Sequence, residues 1–257
     1  MDPVRHSELR KSLFERQPVN VMEHETLIHA ERQRIKSEYV RRSSEIDGDL
    51  YAPWQPGEML MTGERKRIAA AMLSAVQKFP VAGHRFLEVG YGKIGWLGDA
   101  LSWGLRTTDL YGIELDAQRA RHAQLAFPGA HLKVGDATEL PWADDYFDYA
   151  VISTVFSSVL SEPVRSLIAD EMARVVRSGG VVILYDIAVN NPRNKAVRRL
   201  TWPQVRLMFP GFSCEFRSAT LAPPLARVVA KRSWGLANVL SGIPFLRTHF
   251  VAVLVKH

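Results

Sequence analysis

The chain has 257 residues, 47% of them hydrophobic, which suits one well-buried core with an extension and would crowd two full domains. The formal net charge of +6 admits a polyanion or an acidic surface as partner but carries no information about fold. A single cysteine, Cys214, excludes an internal disulfide and any multi-cysteine zinc site; inside "FSCEF" it reads as a small buried hydrophobe on a strand.

Residues 1–22 are polar without sustained periodicity and read as an arm. They lack the apolar stretch of a secretion signal, and no apolar run approaches the roughly 20 residues that span a bilayer, so a soluble cytoplasmic protein is expected. From His24 to Arg42, Leu27, Ile28, Ile35 and Tyr39 fall at helical spacings among many charges. That amphipathic helix offers a face for a homodimer. "DGDLYAPWQPGE" (47–58) breaks it, and a second helix is predicted from Thr62 towards Pro80, with Glu58 and Glu64 near its positive end.

After Gly83 short apolar runs alternate with helical segments. Strands are predicted at Arg85–Val89, Leu110–Glu114, His131–Val134, Tyr149–Ser153 and Val181–Asp186, with helices over Trp96–Gly104, Ala117–Phe127 and Pro163–Val176. The glycines of "RSGG" suit a C-cap for the last of these. Strands apolar throughout and joined by helices imply a parallel sheet covered on both faces. Beyond them come a helix near Pro203–Phe209, a strand Ser213–Thr220, a proline-rich turn "LAPPLA", a helical piece near Ser233–Leu240 and a final strand 248–256. The last two strands are expected to add an antiparallel edge. The division read from this pattern is a helical extension over 1–82, a possible lid, and an α/β domain over 83–257 with a helical insert at about 221–247.

"FLEVGYGKIG" (86–95) is a strand ending in Gly90, Gly92 and Gly95, which lets backbone approach a ligand and aims a helix N-terminus at it. Dinucleotide and S-adenosylmethionine (SAM) loops both begin this way. Glu88 suits a cofactor bearing an ammonium and a sulfonium better than a pyrophosphate. Glu114 ends the next strand, where a carboxylate can accept from two ribose hydroxyls. Asp136 ends the third, within "LKVGDATELPW", positioned for an adenine amino group.

The ordered set "LEVGYG", "GIELD", "VGDATELPWADDYFDYAVIS" and "EMARVVRSGGVVIL" resembles the class I SAM-dependent methyltransferases, particularly the group that includes quinone-biosynthesis methyltransferases. The resemblance covers about residues 83–186; the stretch after it is similar to the tail of a bacterial subgroup whose acceptors are mostly unassigned. It implies a Rossmann-like, mostly parallel seven-stranded sheet and SAM as cofactor. The residues it implies for SAM are Glu88, Gly90, Tyr91, Gly92, Gly95, Glu114, Leu115, Asp136, Ala137 and Ser153. The family's third glycine falls here at Ile94, with glycine one position later.

Methyl transfer needs in-line placement and exclusion of water, and a neutral alcohol acceptor also benefits from a base. The loops after the fourth and fifth strands, "STVFSSVL" and "DIAVNNPRN", are the expected acceptor side. The first lacks the Asn/Asp-Pro-Pro-Tyr/Phe run of enzymes acting on nucleobase or glutamine nitrogens, so oxygen is favoured, then carbon. A small-molecule or saccharide O-acceptor is the leading expectation. A quinone-type carbon acceptor, an RNA-associated methyltransferase and a non-catalytic partner protein are the alternatives; nucleic acid is not the expected partner. Asp186 and His249 are the candidate catalytic groups, each weighed against a structural role. Tyr51, Trp54, Thr154, Phe156, Asn190, Asn191 and Arg193 are candidate acceptor contacts, with "DLYAPWQP" as a lid. Arg32, Arg34, Arg41 and Arg42, and Arg193, Arg198, Arg199 and Arg206, read as solvated faces or an anion-binding rim. Asp144 and Asp145 read as solvated, and no metal is expected.

Overall fold

The computed structural model describes residues 21–45, 48–92, 95–192 and 194–257. Seven strands form one sheet: β1 (Phe86–Val89), β2 (Leu110–Glu114), β3 (His131–Val134), β4 (Phe147–Ser153), β5 (Val176–Ile187), β6 (Phe212–Leu221) and β7 (Arg247–Lys256). Their order is β3-β2-β1-β4-β5-β7-β6. The first five pair in parallel; β7 runs antiparallel to β5, and β6 antiparallel to β7. The predicted antiparallel edge is therefore present.

Helices α1 (Val21–Glu45), α2 (Pro56–Ala75), α3 (Leu97–Ser102), α4 (Ala117–Ala126), α5 (Glu162–Val175), α6 (Trp202–Met208), α7 (Pro223–Ala230) and α8 (Trp234–Ser241) connect or flank the strands. β1 is buried at all four positions, as a central parallel strand must be. The alternation of side chains splits the core into two layers. Leu87, Val89, Ile152, Leu184 and Phe250 face one; Phe86, Val151, Ile183, Tyr185 and Val251 face the other.

Three predicted boundaries change. α2 begins at Pro56 rather than Thr62, because Pro56 occupies the first turn, where its missing N–H costs nothing. "LAPPLA" is not a turn: Pro223 and Pro224 open α7 for the same reason. "RSGG" caps no helix. Val176 leaves α5 with φ −85° and ψ 128°, and Gly179 (φ +71°) sits inside the long strand β5.

β1 and β4 are neighbours while the chain leaves them in opposite directions, so a crevice opens at their C-terminal ends. Gly90 comes directly after β1, and Val155 lies just past β4. At φ +71°, a Cβ on Gly90 would stand 2.5 Å from Val155 Cγ2, so the two loops meet only because residue 90 is glycine.

Candidate functional site

Two joined cavities occupy this crevice and share Tyr39, Gly90, Val155 and Ser158. The first, mainly apolar, lies among Ile28, Ile35, Ile113, Leu115, Ala137 and Val159, with Glu114 and Asp136 at its rim. The second, about 250 Å³ and more polar, is lined by Glu88, Tyr91, Gly92, Gly95, Ser153 and Thr154, with Arg42 and Arg119. All ten residues implied as cofactor contacts line one cavity or the other.

Glu88 is fully buried beneath the turn that opens α3. Its Oε2 accepts from the amides of Trp96 and Leu97 at 2.7 and 3.0 Å, while Oε1 has no hydrogen-bond partner among the described residues. Burial pushes its carboxyl up to about 8, against the pull of the two amides and Arg65. A Cβ on Gly95 would overlap this carboxylate, so the displaced third glycine keeps the roof over Glu88 clear. Residue 94 lies outside the described residues.

Glu114 binds its own surroundings first: Oε2 accepts from Gly92 N at 2.8 Å and Oε1 from Asp116 N at 3.0 Å. Each oxygen keeps a second lone pair for a hydroxyl. Asp136 Oδ1 accepts from the amide and hydroxyl of Thr138 at 2.7 and 2.8 Å, and Oδ2 is engaged by Arg32 Nε.

Arg32 comes from α1, part of the extension read above as a possible lid, although the sequence reading named none of its residues as cofactor contacts. α1 lies over the sheet's C-terminal edge and lends Ile28, Ile35 and Tyr39 to the cavities. Glu31 anchors it. Oε1 accepts from Leu160 N at 2.5 Å, and Arg34 both pairs with Glu31 and donates to Ser158 O. Burial alone would raise the Glu31 carboxyl, but Arg34 and the Leu160 and Ser161 amides outweigh it and hold it below the usual range. Tyr39 carries the Arg119 guanidinium on its ring at 4.5 Å. The Ile28–Ile35–Tyr39 spacing signalled a packed face; nothing in it named the surface it would cover.

Several predicted acceptor and catalytic residues stand elsewhere. Tyr51 and Trp54 are 48% and 66% exposed and line neither cavity; Tyr51 lies between Arg42 and Arg227. Phe156 is fully buried against Phe209. Asn190 Oδ1 accepts from Arg199 N at 2.8 Å and the Asn191 carbonyl accepts from Asn194 N at 3.0 Å, which is turn chemistry; Arg193 lies outside the described residues. Asp186 is buried on the opposite face of the sheet from Glu88, with Oδ2 on Ser157 N at 3.1 Å and Oδ1 on Ile187 N at 2.7 Å. Burial raises its carboxyl to about 6 despite those bonds and Arg165. It fixes the loop after β4 and lines neither of the two cavities.

His249 also lines neither cavity, but it lies on the Glu88 face of the sheet. Ser153 stands opposite Tyr185 across the β4–β5 pairing, and His249 stacks on Tyr185 with centroids 5.1 Å apart and planes 3° from parallel. By the two-residue alternation, Glu88, Ser153, Tyr185 and His249 share one face of the sheet. A polar row thus leaves the second cavity and crosses β4, β5 and β7. Above it, Arg65 of α2 lies 4.5 Å from the Trp96 ring and 5.5 Å from that of Tyr185; Arg65 Nε and Trp96 Nε1 have no hydrogen-bond partner among the described residues. The Tyr185 hydroxyl meets Thr220 Oγ1 at 2.8 Å. Thr154 (φ +55°) and Thr220 (φ +66°), flanking Tyr185, are β-branched residues held in the left-handed region at a cost of about 1–3 kcal/mol each. Burial, then Arg65, lowers the His249 imidazole to about 4, so it is neutral across the physiological range.

Of the two arginine clusters, Arg32, Arg34 and Arg41 pair with carboxylates, Arg42 lines the second cavity, Arg198 and Arg199 are exposed and Arg206 lies over Phe216. Asp144 and Asp145 pair with Arg174 and Lys256.

Residues 87–184 match the methyltransferase domain family. Among proteins of known name, it is 31% identical over 112 residues to methyltransferase GfsG of Streptomyces halstedii, covering 42% of this chain and 39% of that one. The matched stretch thus spans well under half of that relative. Among solved structures, a putative sarcosine dimethylglycine methyltransferase from Galdieria sulphuraria shares the fold at a TM-score of 0.54 and 15% identity, over 75% of this chain and 85% of that one. Phosphoethanolamine N-methyltransferase 2 of Haemonchus contortus, solved in complex with SAM, matches at 0.52 and 17%, over 72% and 51%.

Proposed function

We propose that the chain is a SAM-dependent methyltransferase acting on a hydroxyl oxygen of a small-molecule or saccharide acceptor in the cytoplasm. The observation that supports this most is the convergence of Glu88, Glu114 and Asp136, from three successive strand ends, on two joined cavities. The residues fit the cofactor. The orphaned Glu88 Oε1 suits an ammonium, the spare lone pairs of Glu114 suit two ribose hydroxyls, and the apolar cavity beside Asp136 suits adenine. When bound, SAM supplies a methyl group already activated by its sulfonium.

The protein's part is placement and proton handling. α1 closes the adenine side and keeps water from it. Ser153 and Tyr185 floor the acceptor side, and Arg65 lies above them, where a guanidinium stabilises an acceptor oxygen that is losing its proton. His249 receives that proton. In the tautomer where Nδ1–H donates to Thr248 Oγ1 (2.9 Å), Nε2 offers the lone pair. This row favours oxygen over carbon, because a hydroxyl acceptor uses a neutral base and a nearby cation together.

Incubation with methyl-labelled SAM and fractionated metabolite extracts tests the reading. Label should enter hydroxylated compounds as an ether and S-adenosylhomocysteine should accumulate in step. SAM binding without transfer to any fraction would contradict it.

A further inference from the structure

The net charge of the chain has an address. It contains 33 Lys and Arg against 27 Asp and Glu. Residues 216–257 hold six of the cations (Arg217, Arg227, Lys231, Arg232, Arg247, Lys256) and no acid, leaving 27 of each sign in the rest of the sequence. The same stretch bears the helical insert between β6 and β7. Because β6 ends and β7 begins at the C-terminal edge of the sheet, the insert stands at the edge that carries the cavities.

One side of the insert is fixed to the body. Ala226, Ala230 and Ala237 pack with Leu60, Met61 and Leu221, and α7 lies so close to α2 that a Cβ on Gly57 would stand 2.7 Å from the Arg227 Cα. The other side is apolar and open. Trp234 is 44% exposed, Leu236 51%, Val239 67% and Phe245 85%. Leu236 and Val239 share the face of α8 opposite Ala237 and Ser241, and Trp234 and Phe245 lie at its two ends. Lys231 and Arg232, just before α8, are exposed and make no ion pair among the described residues. Arg227 links this surface to the 48–55 segment through the Tyr51 ring, and that segment exposes Trp54.

We infer that this face is an interfacial membrane-binding surface for an anionic lipid bilayer, with Trp234, Leu236, Val239 and Phe245 entering the headgroup boundary and Lys231 and Arg232 meeting lipid phosphates. Aromatic and aliphatic side chains beside two unpaired cations suit that boundary. A nucleic acid would leave the apolar side chains without a partner. A second copy meeting this one through the same face would set Lys231 and Arg232 against their own like charges. No helix among the described residues is long and apolar enough to cross a membrane, so the contact is one that lies on the bilayer. The inference stands apart from the methyl-transfer reading, since it uses none of the cavity residues.

Pelleting of the full chain with vesicles of phosphatidylcholine alone, or of equal parts phosphatidylcholine and phosphatidylglycerol, tests it. The chain should pellet with the mixed vesicles, release at high salt and stay in solution with the neutral ones. The pair K231Q/R232Q should weaken binding about 25-fold, at about fivefold per cation. W234S/F245S should abolish binding while leaving the melting temperature unchanged, both side chains being exposed. Failure of the wild-type chain to pellet with either composition would overturn the inference, as would variants that pellet like the wild type. A wild-type dimer that W234S/F245S converts to monomer in sedimentation equilibrium would assign the face to a second copy and overturn it equally.

Discussion

The Glu88 carboxylate and the α-carbon of Gly95 occupy adjoining space, so any side chain at 95 must displace a group already bonded to the Trp96 and Leu97 amides. A buried carboxyl raised to about 8 opposes folding once it ionises. The unfolded state loses its proton near the ordinary value of 4.5, so between there and about 8 the native state holds the extra proton. Stability without ligand should therefore fall as pH rises through that window. Glu88→Gln should remove this slope and stabilise the ligand-free protein at pH 8 by roughly 2 kcal/mol or more, read by denaturant melts across pH. A slope unchanged in the variant would place the titration elsewhere.

Gly95→Ala tests the same contact sterically. The added methyl meets a carboxylate that cannot swing away without losing two amide bonds, so a loss of about 1–3 kcal/mol in stability is expected. Wild-type stability in this variant would mean that Glu88 is free to move.

Arg32 and Asp136 join α1 to the tip of β3. Because α1 covers the apolar cavity, Arg32→Ala should speed SAM release about three- to tenfold in stopped-flow displacement, with little change in melting temperature, since Arg32 is 41% exposed. An unchanged release rate would mean that this ion pair does not hold the helix over the ligand.

Asp186 and His249 separate by pH and by readout. Asp186→Ala leaves the Ser157 and Ile187 amides without their acceptor and should cost about 2–4 kcal/mol of stability, while Asp186→Asn should keep activity within about tenfold. His249→Asn should lower kcat by about 10²–10⁴ with SAM affinity retained. Its folded value of about 4 lies below the unfolded 6.5, so the unfolded chain binds the extra proton between them. Stability should rise with pH through that window, and the acid limb of the rate should fall near 4, not 6.5. A rate limb near 6 lost in Asp186→Asn would reverse the two roles.

The sheet and its cofactor residues were readable because strand, glycine turn and acid lie within a few residues of one another, so local order carries the geometry. Glu114 ends β2 and Asp136 lies two residues past the end of β3, so each acid sits at a strand tip that the local sequence marks. The acceptor side was not readable in that way. Asp186 and His249 are both polar residues near strand ends, and only the alternation of the folded strands shows that they face opposite layers. α1 was legible as a helix, yet its docking rests on Arg32–Asp136, 104 residues apart, and Glu31–Leu160, 129 apart. The prolines misled in both places for one reason: Pro56, and likewise Pro223 and Pro224, can end one segment and equally well open the next helix.

Calorimetric titration of SAM into the wild type, Glu88→Gln, Glu114→Gln and Asp136→Asn tests the shared pocket most directly. The wild type should bind saturably and one to one, and each variant should lose at least about tenfold in affinity. Proton release on binding near pH 7 should disappear only in Glu88→Gln. No heat at millimolar SAM in a folded wild type, or full affinity in all three variants, would contradict a pocket built on these carboxylates.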